Sequence, residues 1–264
     1  MEYGTIEIRR EGAVVVLEMI REEKLNPLDL QAGDEILDAL KNLEREEGMR
    51  CLIITGRGRA FSAGGDVKGM EDSLQAGKPG EYMDDLTRSL YAIGLRLREY
   101  PVPVIAAVNG LAVGAGMNLA LCCDIIVASR QAAFSQSFCR LALIPGFGGT
   151  YLLSRQLPWQ KAAEIAFLGE ALDAEEMRSM GFVRCVAEAD RLMSEAMRLA
   201  ETLAAGPTLA YARTKKLFLE AQGSSFQDHL PRERELQVRS AETEDYAAGV
   251  HGLVSKKKPL FSGK

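Results

Sequence analysis

Apolar and polar positions change period several times along the chain, and each change predicts an element. Residues Glu2–Arg10 alternate and Ala13–Met19 is apolar, with Glu11-Gly12 between them, which predicts an opening β-hairpin. A polar loop, Arg21–Leu30, surrounds Asn26-Pro27. Leu30, Ile36, Leu37, Leu40 and Leu43 then fall at helical spacing, which makes Asp29–Leu43 an amphipathic helix. Cys51–Gly56 reads as a buried strand. Leu86, Leu90, Ile93, Leu97 and Tyr100 keep helical spacing, so Tyr82–Glu99 is a helix that delivers the chain to Pro101 and a second apolar strand, Val104–Val108. Asn109-Gly110 is turn chemistry, and Leu111–Cys123 is an apolar, small-residue segment of helical length. Asp124–Ala128 and Ala133–Gln136 are further strands, followed by a loop, Leu143–Gly149. Thr150 is placed to cap a helix running to about Gln156. After Trp159 strand signals vanish except at Phe182–Ala187. Asp173 has the look of an N-cap with an acidic first turn, and Asp190–Ala205, Thr208–Gln222 and Gln227–Ala248 read as helices.

Strands that alternate with helices indicate an α/β core with parallel pairing, and the helical last third reads as a cap or assembly region. At 264 residues the chain has ample length for a large core. Its composition, 47% hydrophobic and 26% charged with a net charge of −5, is that of a soluble globular protein and argues against wholesale nucleic-acid binding. The N-terminus MEYGTIEIRREG lacks the apolar core of a signal peptide, so a cytoplasmic protein is expected. The five cysteines are odd in number, sit in apolar contexts and form no CxxC, which predicts reduced, buried thiols without disulfide or metal. From Val104 to Cys123 the only polar residues are Asn109 and Asn118, with a Gly110-x-x-x-Gly114 spacing that formally suggests a membrane helix. Asn-Gly breaks that run early, Asp124 closes it and basic flanks are lacking, so no membrane association is expected. Gly114-x-Gly116 lacks a glycine at position 119 and is too weak a match to a dinucleotide loop to use.

The candidate chemistry lies where the glycines fall. Gly114-Ala115-Gly116 would sit at a helix entry, where free backbone N–H groups point outward and small side chains let a ligand approach. The loop Ser62-Ala63-Gly64-Gly65-Asp66 after the Cys51–Gly56 strand has the same chemistry. Two strand ends, each followed by exposed N–H donors, can converge on one oxygen as an oxyanion hole.

RAFSAGGDVKGM at 59–70, PVIAAVNGLAVGAG at 103–116, CDIIVAS at 123–129, LIPGFGGT at 143–150 and PLFSGK at 259–264 together resemble the enoyl-CoA hydratase/isomerase (crotonase) superfamily over nearly the whole chain. GAGMNLAL and the PLFSGK ending look nearest to the isomerases of phenylacetyl-CoA degradation. The resemblance implies a spiral of ββα units over residues 1–190 and a C-terminal helical region, 191–264, that assembles homotrimers or dimers of trimers and caps the active site. It implies an acyl-CoA substrate whose thioester oxygen is held by the N–H groups of Ala63 and Ala115. Coenzyme A enters as part of that thioester, with no separate cofactor and no metal. The resemblance further places the CoA moiety along Arg21, Lys24 and Leu25 and around Ala63, Gly64, Gly65 and Asp66. Lys256–Lys258, with Lys257 at the centre, are candidates for its phosphates.

The departures from the family pattern bear on mechanism. Family hydratases carry one glutamate in the helix after the second donor and another before the LIP-type loop, and those positions hold Asn118 and Phe138. Where some isomerases and dehalogenases have an acid after the LIP proline, this chain has Gly146. Asn118 either holds a water or substrate oxygen, or bonds neighbouring backbone. Asp66 is better read as a helix cap than as a base. Ser137, Arg140 and Tyr151 flank the expected pocket in scaffold roles, and His229 and His251 fall in the helical region away from it. The expectation is an enolate-stabilising, isomerase-like enzyme with its acid-base group elsewhere, such as Asp84 or Asp85. The alternatives are a catalytically silent CoA-thioester binder and a hydratase with a non-standard acid and base.

Overall fold

A computed structural model describes residues 3–264, so Glu2, where the first strand is expected to begin, lies outside the described residues. The opening hairpin is β1 (Ile6–Glu11) antiparallel to β2 (Val14–Met19). The polar loop that follows contains a 3-10 turn, Glu22–Lys24, and a two-residue strand, β3 (Pro27–Leu28). Asp29 then caps α1 (Leu30–Leu43) by accepting from the Ala32 N–H at 2.9 Å. The glycine-rich connection after β4 (Cys51–Gly56) contains β5 (Ala60–Ser62) and β6 (Gly64–Gly65) rather than being irregular throughout. Next come α2 (Val67–Gln75) and α3 (Pro79–Glu99). The polar stretch 72–80 is therefore mostly helical.

After β7 (Val104–Val108), the segment expected to be one helix divides into β8 (Leu111–Val113) and α4 (Ala115–Leu121). Gly114 makes the division: its φ of 53° and ψ of −117° suit neither element. β9 (Ile125–Ser129), β10 (Ala133–Ser135), α5 (Gly149–Gln156) and α6 (Trp159–Leu168) follow. Thr150 is not the cap of α5; Gly148 holds that place with a φ of 78°. Asp173, at the end of β11 (Leu172–Asp173), forms the expected capping box with Glu176 at the start of α7 (Ala174–Ser179). β12 (Val183–Ala187) completes the strands. α8 (Leu192–Ala204) and α9 (Thr208–Ala221) lie close to expectation. The helix expected over 227–248 is instead two, α10 (Phe226–Ala241) and α11 (Glu244–Ser255), broken where Thr243 caps the second.

The strands form a six-stranded sheet in the order β1-β2-β4-β7-β9-β12, a four-stranded sheet β11-β10-β8-β5, and the pair β3-β6. Only β1–β2 and β10–β11 are antiparallel. Each turn of the chain sends one strand to the first sheet and the next to the second (β4 then β5, β7 then β8, β9 then β10), followed by helix. This is the spiral of ββα units that the resemblance implies. Both faces of the six-stranded sheet are covered, which explains its continuous apolar strands. Leu52 and Ile54 face the inner core with α1, α3 and α4, while Cys51 and Ile53 face α8. Leu192, Ala196, Ala200 and Ala204 recur every fourth residue along α8 and form the stripe that seats it on the sheet.

The terminal PLFSGK ties the helical region to the spiral. Arg50, just before β4, donates to the Phe261 and Gly206 carbonyls and the Thr208 hydroxyl. Buried Asp245 accepts from the N–H groups of Ser262 and Gly263.

Candidate active site

The loop after β5 and the entry to α4 interlock through residues that cannot carry side chains. A Cβ on Gly64 would stand 2.4 Å from the Val113 carbonyl oxygen and 3.4 Å from the Ala115 nitrogen; one on Gly116 would stand 2.4 Å from the Ser62 carbonyl oxygen. The Gly114 N–H is committed to the Ser135 carbonyl at 2.7 Å. Ala115 is the first residue of α4, so its N–H has no partner four residues back in the helix.

The partner loop differs from expectation. The Ala63 N–H donates to the Leu25 carbonyl at 2.8 Å, so it pins the loop and is not a free oxyanion donor. Pro27 has no N–H to give, so its parallel pairing with Gly64 must run through the N–H and carbonyl of Gly64. Peptide groups alternate in direction along a strand, so the N–H of Gly65 faces away from β3.

These backbones line one end of a cavity of about 110 Å³. Much of the rest of its wall is apolar, Met70, Met83, Leu86 and Leu90 from α2 and α3 with Phe138, Leu141, Leu143 and Phe147 from the segments before α5, while Ser137, Thr87 and Tyr91 add hydroxyls. Residues 70–91 thus supply much of the wall. Among the described residues, the only ionisable side chain lining the cavity is Tyr91. Thr87 back-bonds to the Met83 carbonyl at 2.7 Å.

The positions where the family carries carboxylates can now be read directly. Phe138 lays its ring over Gly114, 3.6 Å from where a Cβ would be. Gly146 faces the Tyr91 hydroxyl, 3.1 Å from where its own Cβ would be. Asn118 is wholly buried; its amide donates to the Gly146 carbonyl at 2.8 Å and its oxygen accepts from Gln136 at 2.6 Å. Both polar atoms are thus bonded to protein and the residue does not line the cavity, so of its two readings the catalytic role for Asn118 gives way and the one in which it bonds backbone holds. Gly149 is required beside it, since a Cβ there would stand 2.3 Å from the Asn118 amide nitrogen. Asp84 and Asp85 are exposed on α3, with Asp84 paired to Arg88, and neither reaches the cavity. They are not the missing acid or base.

The expected CoA-binding residues divide. The Arg21 guanidinium is spent on Asp29, at 2.5 and 2.8 Å, and on the Pro27 carbonyl at 2.7 Å. It clamps the loop carrying Leu25 and is not free for phosphate. Burial pushes the Asp29 carboxyl up, and the Arg21 guanidinium with the Ala32 N–H outweighs it, leaving the pKa lowered. Asp66 caps α2, accepting from Lys68 and Gly69 at 3.2 Å, as the cap reading expects. Lys24 and Lys257 are exposed cations. Arg140 donates to the Gly169 carbonyl, and the Tyr151 hydroxyl to Gln222. Among the described residues no group of three or more His, Cys, Asp or Glu side chains is placed to hold a metal, and no helix is long and apolar enough to cross a membrane.

The comparisons with known proteins agree with this architecture. Residues 9–264 match the enoyl-CoA hydratase/isomerase family model, and the chain belongs to that family. It is 36% identical to the 1,2-epoxyphenylacetyl-CoA isomerase of Escherichia coli (strain K12), over 96% of this chain and 97% of the relative. A probable enoyl-CoA hydratase of Mycobacterium bovis is 33% identical over 99% of both chains. The crystal structure of an enoyl-CoA hydratase from Polaromonas superposes with a TM-score of 0.93 at 33% identity, covering 98% of this chain and 100% of the other.

Proposed function

We propose that the chain binds an acyl-CoA thioester in the 110 Å³ cavity and stabilises the enolate formed when a proton leaves the acyl group. The thioester oxygen meets the backbone N–H of Ala115 and, in place of Ala63, that of Gly65. The observation that carries this reading is that Gly65 and Ala115 line one cavity whose wall lacks carboxylates among the described residues. Hydration needs a base to deprotonate water and an acid to protonate the α-carbon. Isomerisation adds no water but still needs a group that takes a proton from one acyl carbon and returns one at another. The Tyr91 phenol, which lines the cavity, is the candidate carrier, its oxygen taking a proton as it gives its own, and the relative named as an isomerase in Escherichia coli supports that direction. The lack of carboxylates also favours a second reading, a silent thioester binder that holds acyl-CoA without turning it over. Lys24 and Lys257 are the exposed cations for the CoA phosphates.

Assembly into trimers or pairs of trimers, in the cytoplasm, completes the proposal. α8 is used on the sheet, which leaves the interface to α9, α10 and α11.

Ala115→Pro tests the site. Proline is tolerated at the first position of a helix, so the variant keeps the fold while losing the N–H. Turnover found with a panel of enoyl-CoA thioesters, read by mass spectrometry, should fall by on the order of 10²–10³. For a silent binder, the affinity for butyryl-CoA should fall instead. A folded variant with both unchanged would sink the assignment.

A further inference from the structure

Beside the catalytic cavity lies a second one, of about 450 Å³, between α3, α5 and α9. Its lining includes Leu95, Cys122, Leu152 and Leu219, and the two cavities share only Tyr91 and Phe147. Phe147 is 2% exposed and has a φ of 53°, a backbone conformation that a bulky side chain adopts only under strain. Its ring lies on the backbone of α3, with ring carbons 3.0 and 3.1 Å from where a Cβ on Gly94 would stand. The absence of a side chain at position 94 is what lets the ring sit there as a partition.

We propose that the Phe147 ring sets the length of acyl group the protein accepts, and that the second cavity receives a longer tail once that ring is cut back. The inference rests on the reading of the first cavity as the acyl site. At about 10–15 Å³ per water-sized group, 110 Å³ has room for roughly seven to eleven such groups, a short-chain or single-ring acyl portion. The same measure gives the second cavity room for several times as many. Its occupant is identified by continuity, because it opens behind a residue that also walls the acyl site, and by a lining that is mostly apolar, with Arg98 and Glu99 its charged members.

Saturated butyryl-CoA and decanoyl-CoA, titrated calorimetrically, are inert probes of length. The wild-type protein should bind butyryl-CoA at least tenfold more tightly than decanoyl-CoA, as apolar pockets discriminate by about that much per badly placed methylene. Phe147→Ala should shrink the ratio at least tenfold, and Leu219→Trp added to it should restore the ratio by filling the second cavity. Phe147→Leu should move the ratio the same way by less, and it serves if the alanine variant does not fold. A wild-type protein without length preference, or a ratio unmoved by either substitution while butyryl-CoA still binds, would overturn the proposal. Binding of neither thioester would overturn the acyl-CoA reading itself.

Discussion

The most informative residue is Asn118, because a single side chain decides between a catalytic amide and a structural one. Its two amide bonds hold Gln136 and the Gly146 carbonyl, and through the latter the loop that carries Phe147. Asn118→Ala removes both bonds and leaves the Gln136 amide and the Gly146 carbonyl without them, which costs about 1–3 kcal/mol. Thermal melting should record this as a fall of several degrees. An unchanged melting temperature with a lost reaction would return Asn118 to the catalytic role. The sequence made the residue conspicuous as the lone polar position inside α4 but left its partners invisible, since Gln136 and Gly146 lie 18 and 28 residues away. The same limit explains Ala63. Small residues after a strand announce exposed N–H groups, yet which group is spent depends on the facing carbonyl of Leu25, and that follows from a register only the fold supplies. Phe147 gave no signal at all, for nothing local marks an aromatic residue as the partition between two cavities.

At the scale of elements, apolar periodicity located most strands and helices, and it failed where a glycine or cap interrupts a continuous apolar or amphipathic run. Gly114 splits β8 from α4, and Thr243 starts α11 afresh after α10. Pairing partners matter as much. Leu199 and Leu203 on α8, inside the region expected to assemble subunits, pack partly against the sheet of their own chain. Leu253 and Val254 at the end of α11 remain 82% and 81% exposed. Phe218 on α9 and Phe226 on α10 are 67% and 77% exposed. Large apolar side chains left open on three consecutive helices call for a covering surface. Sedimentation velocity should therefore find three or six chains at micromolar concentration, and Leu253→Asp with Val254→Asp should shift the distribution to smaller species. A wild-type protein that sediments as a monomer would contradict this.

For the whole molecule, the spiral brings the loop after β5 and the entry to α4 to one largely apolar cavity. The order and spacing of five short motifs made that architecture legible, as did the strand–helix alternation. The chemistry is less legible, because a motif reports a position while reactivity depends on what the neighbours leave free. Arg21 and Asp66 stand where the resemblance places the CoA moiety, and Asn118 where family hydratases carry a glutamate; Arg21 and Asn118 hold loops and Asp66 caps α2. What remains is a cavity, proposed for the thioester, without a carboxylate among its described lining residues. Crotonyl-CoA hydration, measured by mass spectrometry alongside butyryl-CoA affinity, tests this most directly. With the base and the acid both absent and each contributing roughly 10²–10⁴, hydration should run on the order of 10⁴-fold or more below a two-carboxylate site, while butyryl-CoA still binds. Hydration at rates common among enzymes, about 1–10³ s⁻¹, would contradict the account.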